Sequence, residues 1–415
     1  MINMIKKPEL LAPAGDLEKL KIAALYGADA VYFGGELFSL RAGAGNMSLA
    51  EMTEGIAFCH AHGVKCYLAM NIYAHNEDIE PLRDYLNKIK DLDLDAFIVS
   101  DPGVITMIQE IVPQAEIHLS TQANMTNYET AKFWHRMGVK RIVLARELTF
   151  EEIREIRRQT PETLEFEAFV HGAMCISYSG RCLLSNFMIE RDANRGQCAH
   201  PCRWKYALVE EQRPGQYYPI EEDERGTYIL NSRDLCMIES IPELVEAGIS
   251  SLKIEGRMKS VFYVATVVAA YRKAIDAYFA DPDGYAFREE WMTELKKVSH
   301  REFTTGFYYH KPTNHDQNYQ TSAYTRDYTF TGMVRSYDPE TGYAIVEQRN
   351  KMVIGDEIEV FGPHTDFFTQ VLEEMYNEEG EPITAAPHPQ QILKIKMAKP
   401  VDAHFMLRKK KENGN

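Results

Sequence analysis

From its first residues the chain alternates short apolar runs, rich in β-branched and aromatic residues, with longer stretches in which apolar positions recur at helical spacing. The runs are "ELLAPA", "AVYFGG", "VKCYLAM", "AFIVSD", "EIHLST", "RIVLA", "EFEAFVHG" and "SLKIEG"; between them lie amphipathic stretches such as "DLEKLKIAALYG", "SLAEMTEGIAFCHAHG", "IEPLRDYLNKIKDLD" and "TFEEIREIRRQT". Strands that alternate with helices pair in parallel, because each helix carries the chain back across the sheet. Eight such units, finished by a helix over about Val261 to Phe279, predict an α/β fold of the TIM type, a (β/α)8 barrel spanning residues 1–282. Gly27, Gly63, Gly138 and Gly248 each stand where a predicted helix ends.

The rhythm breaks between the seventh and eighth strands, where roughly seventy residues replace an ordinary short connection. This insertion, about residues 172–236, holds Cys175, Cys182, Cys198, Cys202 and Cys236, five of the seven cysteines. Following the carboxyl end of a strand, it belongs on the catalytic face of a barrel. After a connecting segment over 283–322, alternation of period two takes over in "YTFTGMVRSYD", "GYAIVEQRN", "GDEIEVFGP", "FFTQVLEEMY" and "QILKIKMAKPV". Five or six strands over 323–410 predict a small C-terminal β-barrel domain, and the closing "RKKKENGN" reads as a frayed tail.

Composition narrows the function classes. The 415 residues carry 46 basic and 61 acidic side chains, a net charge of −15, which argues against a protein that coats nucleic acid through a broad basic surface and leaves room only for a local groove. "MINMIKKPEL" lacks the apolar core of a signal peptide, and no stretch offers about eighteen uninterrupted apolar residues, so a cytoplasmic protein with no membrane partner is expected. In a reducing compartment structural disulfides are disfavoured, which points the clustered thiols toward metal binding or chemistry.

Six residues separate Cys175 from Cys182, fifteen separate Cys182 from Cys198, and three separate Cys198 from Cys202. The last pair suits a zinc knuckle; the wide spacings suit an iron-sulfur cluster, whose corners accept ligands from distant segments. Sulfur serves both metals, and position at a barrel mouth favours the cluster. His171, four residues before Cys175, would activate a thiol nucleophile, or be a satisfied core histidine at a strand end. Cys59 and Cys66 read as packing residues. In "KIEGR", period two turns Lys253, Glu255 and Arg257 to one face, and Arg41 and Arg146 add positive charge around the same mouth. Such charges need an anionic ligand, a carboxylate-bearing small molecule above all, or an internal salt-bridge network between Glu255, Glu147 and the arginines. Ser120, Thr121 and Gln122 end strand five; Asp101 reads as a helix start.

"EAFVHGAMCISYSGRCLLSN", "RGQCAHPCRWKY", "LNSRDLCMIESIPELVEAGISSLKIEGRMKS" and the opening "ELLAPAGDLEKLKIAALYGADAVYFGG" closely resemble peptidase family U-32, the collagenase-like peptidases, and the resemblance spans nearly the whole chain. The family's historic name implies proteolysis, for which Cys175 or another thiol would be the nucleophile and His171 the base; its members also include RNA hydroxylation proteins. A two-domain chain of this length is similar to the prephenate-dependent tRNA uridine hydroxylation proteins, which form 5-hydroxyuridine at the anticodon wobble position. The resemblance implies a 4Fe-4S cluster on Cys175, Cys182 and Cys198, with Cys236 as fourth ligand and Cys202 as the alternative. It implies prephenate as co-substrate, for which Arg41, Arg146 and Arg257 are candidate holders, and leaves Lys253, Glu255 and His171 as candidate catalytic groups. tRNA, and a partner subunit or electron donor, are the expected partners. A zinc-stapled RNA-binding scaffold is the noncatalytic alternative.

Overall fold

The computed structural model describes residues 6–38, 46–175, 177–179, 181–191, 193, 197–203, 207–209, 217–219, 233–310 and 325–411. Each of the eight predicted apolar runs forms a strand: β1 (Glu9–Pro13), β2 (Ala30–Phe33), β3 (Lys65–Met70), β4 (Ala96–Val99), β5 (Glu116–Leu119), β6 (Arg141–Val143), β7 (Glu165–Ala173) and β8 (Ser251–Ile254). They pair in parallel and in chain order, and β8 closes the cylinder by pairing with both β7 and β1.

The intervening helices start where short polar side chains can take up unpaired amides. Asp16 accepts from Lys19 N–H, Asp101 from Gly103 and Val104 N–H, and Ser48 and Thr149 form reciprocal capping boxes with Glu51 and Glu152. Asp101 is thus a cap, as its place before Pro102 predicts. Helices end at left-handed glycines: Gly27 has φ +108°, and a Cβ there would come within 2.7 Å of the Arg272 side chain. The finishing helix runs Val261–Ala280 and is buried along most of its length. No helix among the described residues is long and apolar enough to cross a membrane.

The insertion returns to the barrel as a short strand, Asp234–Cys236, antiparallel to the end of β7 and parallel to Phe303–Thr304 of the connecting segment. Beyond it, seven antiparallel strands curl into a half-barrel in the order Phe368–Val371, Glu357–Phe361, Met406–Lys410, Tyr328–Asp338, Tyr343–Gln348, Ile392–Lys396 and Met375–Tyr376. The expected frayed tail needs correcting over residues 408–410, while residues 412–415 lie outside the described residues. Met406–Lys410 is an inner strand of this sheet, and Arg408 is 0% exposed. Its positive charge mimics a solvated end in the sequence, but the guanidinium lies 2.7 Å from Glu359 and 2.8 Å from Glu294 of the connecting segment. Lys297 reaches both carboxylates at 2.8 Å. With Phe262 stacked on Phe330 and the Tyr26 hydroxyl donating to His404 O at 2.8 Å, this cluster seats the half-barrel against the outside of the barrel, leaving the barrel mouth to the insertion.

Candidate functional site

At the carboxyl ends of the strands a cavity of about 380 Å³ opens. Its floor is made by side chains that alternate inward along the strands, including Tyr32, Ala69, Ile98 and Val143, and its wall by Asn71, Ser120, Thr121 and Gln122 at the ends of β3 and β5. Lys253, Glu255 and Arg257 all line it, as the period of "KIEGR" predicts, and so does Arg146. Arg41 lies outside the described residues.

The thiols gather on the same cavity. Cys175, Cys182, Cys198 and Cys202 line it. Cys182 Sγ accepts the N–H of Leu184 at 3.4 Å, and Cys198 Sγ accepts that of His200 at 3.4 Å. Hydrogen bonds to a sulfur are among the means by which a protein orients and tunes a metal ligand. The four sulfurs form a soft donor set that suits an iron-sulfur cluster or zinc, although among the described residues no three such groups are already closed around one point. Cys236, expected as the fourth ligand, is not on the cavity. Its strand places it opposite His171, its Sγ lies 3.9 Å from the Tyr271 hydroxyl on the helix outside the barrel, and burial pushes its thiol up to about 12. Cys202 takes the cavity position. Cys59 and Cys66 are buried far down the chain from this cluster, under the helices, as packing predicts.

The charges divide into two groups. Deep in the barrel, where apolar layers are usual, Lys253 Nζ donates to Glu167 Oε1 at 2.7 Å, Arg141 stands 3.5 Å from Glu167, and Arg141 donates to Glu9 at 2.6 Å and Glu165 at 2.7 Å. Burial opposes the charged form of Glu167, but Lys253 and then Arg141 outweigh it and hold its carboxyl below the ordinary value. Lys253 is therefore a neutralised cation at the cavity floor. Nearer the opening, Arg146 donates to Ala173 O at 2.6 Å and lies 3.8 Å over the Phe169 ring, with no ion pair among the described residues. Lys259 and Arg326 join it on the lining, and Arg257 donates to Asn46 at 3.0 Å. The internal network exists, but through Glu167, Glu9 and Glu165 in place of Glu147.

A family model described as peptidase family U32 matches residues 15–318, and one described as its C-terminal domain matches 326–408. The chain belongs to peptidase family U32. It is 46% identical over 406 residues to tRNA hydroxylation protein P1 of Bacillus subtilis, covering 98% of this chain and 96% of the relative. It is 39% identical to tRNA hydroxylation protein P of Escherichia coli, with 92% of each chain covered, and 39% identical to an uncharacterized protease of Methanocaldococcus jannaschii, covering 90% and 91%.

In this U32 chain Cys175 and His171, one expected nucleophile and its base, lie on different sides of the barrel wall. Cys175 is exposed at the mouth, whereas His171 is buried outside the barrel wall against Tyr263, Tyr271 and Phe303. Burial, with the nearby charges of Lys259 and His300, pushes the imidazole down to about 3, so it stays neutral. Below about pH 6.5 the unfolded histidine takes a proton that the folded one refuses, so this contribution to stability is complete above that pH and drains away as pH falls toward the folded value. Denaturant titrations of the wild type from about pH 7 to about pH 5 are expected to lose up to about 1.4 kcal/mol per pH unit from this group, and His171→Phe to lose that much less.

The residues that sequence reasoning misses are Glu167 and Arg141 inside the barrel and Lys259 and Arg326 at the opening. The first two had a signal: "EFEAF" alternates, so Glu165, Glu167 and Phe169 share a face, and an inward carboxylate on one strand requires an inward cation on another.

Proposed function

We propose that this U32 protein hydroxylates tRNA, forming 5-hydroxyuridine at the anticodon wobble position with prephenate as co-substrate and an iron-sulfur cluster as cofactor. The relatives of like length named for tRNA hydroxylation support the substrate class. The observation that carries the chemistry is that four cysteines and a set of cations line one cavity at the catalytic end of a barrel.

Cys175, Cys182, Cys198 and Cys202 would hold the cluster, and the amides of Leu184 and His200 would brace two of the sulfurs. A bound 4Fe-4S cluster would supply one-electron chemistry beside the substrate. Arg146, Arg257, Lys259 and Arg326 suit a dicarboxylate such as prephenate, with guanidinium forks pairing carboxylates bidentately. Lys253, already paired, orients without adding net charge. Glu255 is the single carboxylate among the described lining residues and would accept a proton from a bound base. A wobble nucleotide, single-stranded in its loop, reaches such a pocket at small unstacking cost.

The test is nucleoside mass spectrometry of tRNA from a strain lacking the gene. Loss of 5-hydroxyuridine derivatives, restored by the wild-type gene, is the expected result; unchanged levels in the absence of a paralogue reject the reading. Iron, sulfide and zinc analysis of protein purified without oxygen separates a cluster from a zinc staple.

A further inference from the structure

The insertion carries an apolar surface that neither the core nor the cavity uses. Phe187 is 87% exposed and Leu183 64% exposed. They sit four residues apart on the short helix Leu184–Ile189 and its lead-in, Phe187 N–H bonding to Leu183 O, so both project from one face. The same helix lines the cavity with Leu184 and Ser185, which places Phe187 two residues, or roughly 3 Å of rise, beyond the last lining residue. Met258, 55% exposed, lines the mouth from the β8 side, and Tyr178 is 45% exposed on the turn before the helix.

Two features fix this helix in place. Cys182 Sγ accepts the Leu184 N–H, and Ser185 Oγ accepts the N–H of Ala199 at 3.1 Å, tying the helix to both thiol-bearing segments. Arg181 and Arg191, both exposed, flank it at either end, and Arg326 lies on the cavity lining. On a chain of net charge −15, arginines at both ends of a helix that carries an exposed aromatic, with Glu190 the one acid between them, are a local match to an anionic partner. A strongly exposed ring beside a cavity lined with cations, with arginines at both ends of its helix, is an arrangement that stacks an unpaired base and holds its phosphates, whereas a purely apolar partner would leave those arginines unmatched.

We propose that Phe187 is the platform on which an unpaired RNA base next to the reacting nucleotide stacks, with Leu183 packing beside it and Arg181 and Arg191 taking the flanking phosphates. This rests on the tRNA reading above and adds how the loop is gripped. The stacked neighbour splays the strand, so that the next base can turn into the adjoining cavity.

The experiment uses the full chain purified without oxygen. Phe187→Trp gives a reporter whose emission is followed while a short RNA stem-loop with an unpaired loop, or a fully paired RNA duplex of equal length, is added. Quenching by the stem-loop and not by the duplex is expected, together with roughly tenfold weaker stem-loop binding by Phe187→Ala and near wild-type binding by Phe187→Tyr. Because the ring is almost wholly exposed, the melting temperature of each variant is expected to match the wild type. Wild-type binding that Phe187→Ala leaves intact overturns the platform while the tRNA reading stands. Failure of the wild type to bind the loop overturns the platform, and with unchanged 5-hydroxyuridine in the deletion strain it removes the tRNA reading as well. Quenching by an unstructured peptide in place of RNA reassigns the surface to a protein partner and overturns the proposal.

Discussion

Alanine at Cys182 or at Cys198 is expected to bring 5-hydroxyuridine derivatives in a complemented deletion strain down to the level of the deletion itself, with the iron and sulfide of the purified protein falling together. Both sulfurs line the cavity, and both receive a backbone amide two residues on. Removal of an outer partner of a metal ligand costs about ten- to a hundredfold in metal affinity, and removal of a ligand itself costs more. Cys202→Ala is expected to behave in the same way, and Cys236→Ala is not. The Cys236 thiol is buried against Tyr271, outside the barrel wall, so truncating it removes packing worth about 1 kcal/mol and leaves the modification in place. A result with Cys236→Ala inactive and Cys202→Ala active, both folded, would reverse the ligand assignment. Western blotting and thermal melts of each variant separate loss of metal from loss of protein.

The choice between Cys202 and Cys236 shows where the sequence stops being readable. Periodicity places the eight strands because each is a local signal: side chains two apart share a face, and a run of apolar residues bounded by caps and glycines has one natural conformation. The same logic brings Lys253, Glu255 and Arg257 to the mouth. Inside the insertion there is no period to follow, and the Cys236 and Cys202 spacings each complete a ligand set, so the choice turns on the path of the chain, which spacing does not encode. Asp234–Cys236 becomes a strand on the outer edge of β7, and that pairing carries Cys236 away from the mouth. Met406–Lys410 fails for another reason. A strand with Arg408 at its centre reads as solvated unless Glu294 and Glu359, remote in sequence, are known to converge on it. His171 is legible in part: its position at a strand end allows either a base or a core residue, and only the surrounding Tyr263, Tyr271 and Phe303 rings decide for the core.

Glu167→Leu is expected to destabilise the fold by about 3–5 kcal/mol, because it strips the buried Lys253 ammonium of its partner and takes one of three carboxylates from Arg141. Glu167→Leu combined with Lys253→Met is expected to recover most of that loss, since Arg141 keeps Glu9 and Glu165 and no unpaired charge remains in the barrel. The double variant is the informative protein. If Lys253 serves only stability, tRNA modification returns with the fold; if its ammonium orients a bound carboxylate at the cavity floor, stability returns and modification does not. The pH dependence carries the same signature. The Glu167 carboxyl is held below its ordinary value, so its contribution is complete above about pH 4.3 and is lost as pH falls through the depressed folded value. Acid titration followed by circular dichroism is therefore expected to show a steeper loss of stability below about pH 4 for the wild type than for the double variant, and equal slopes would mean that Glu167 and Lys253 do not interact in the folded protein as charges.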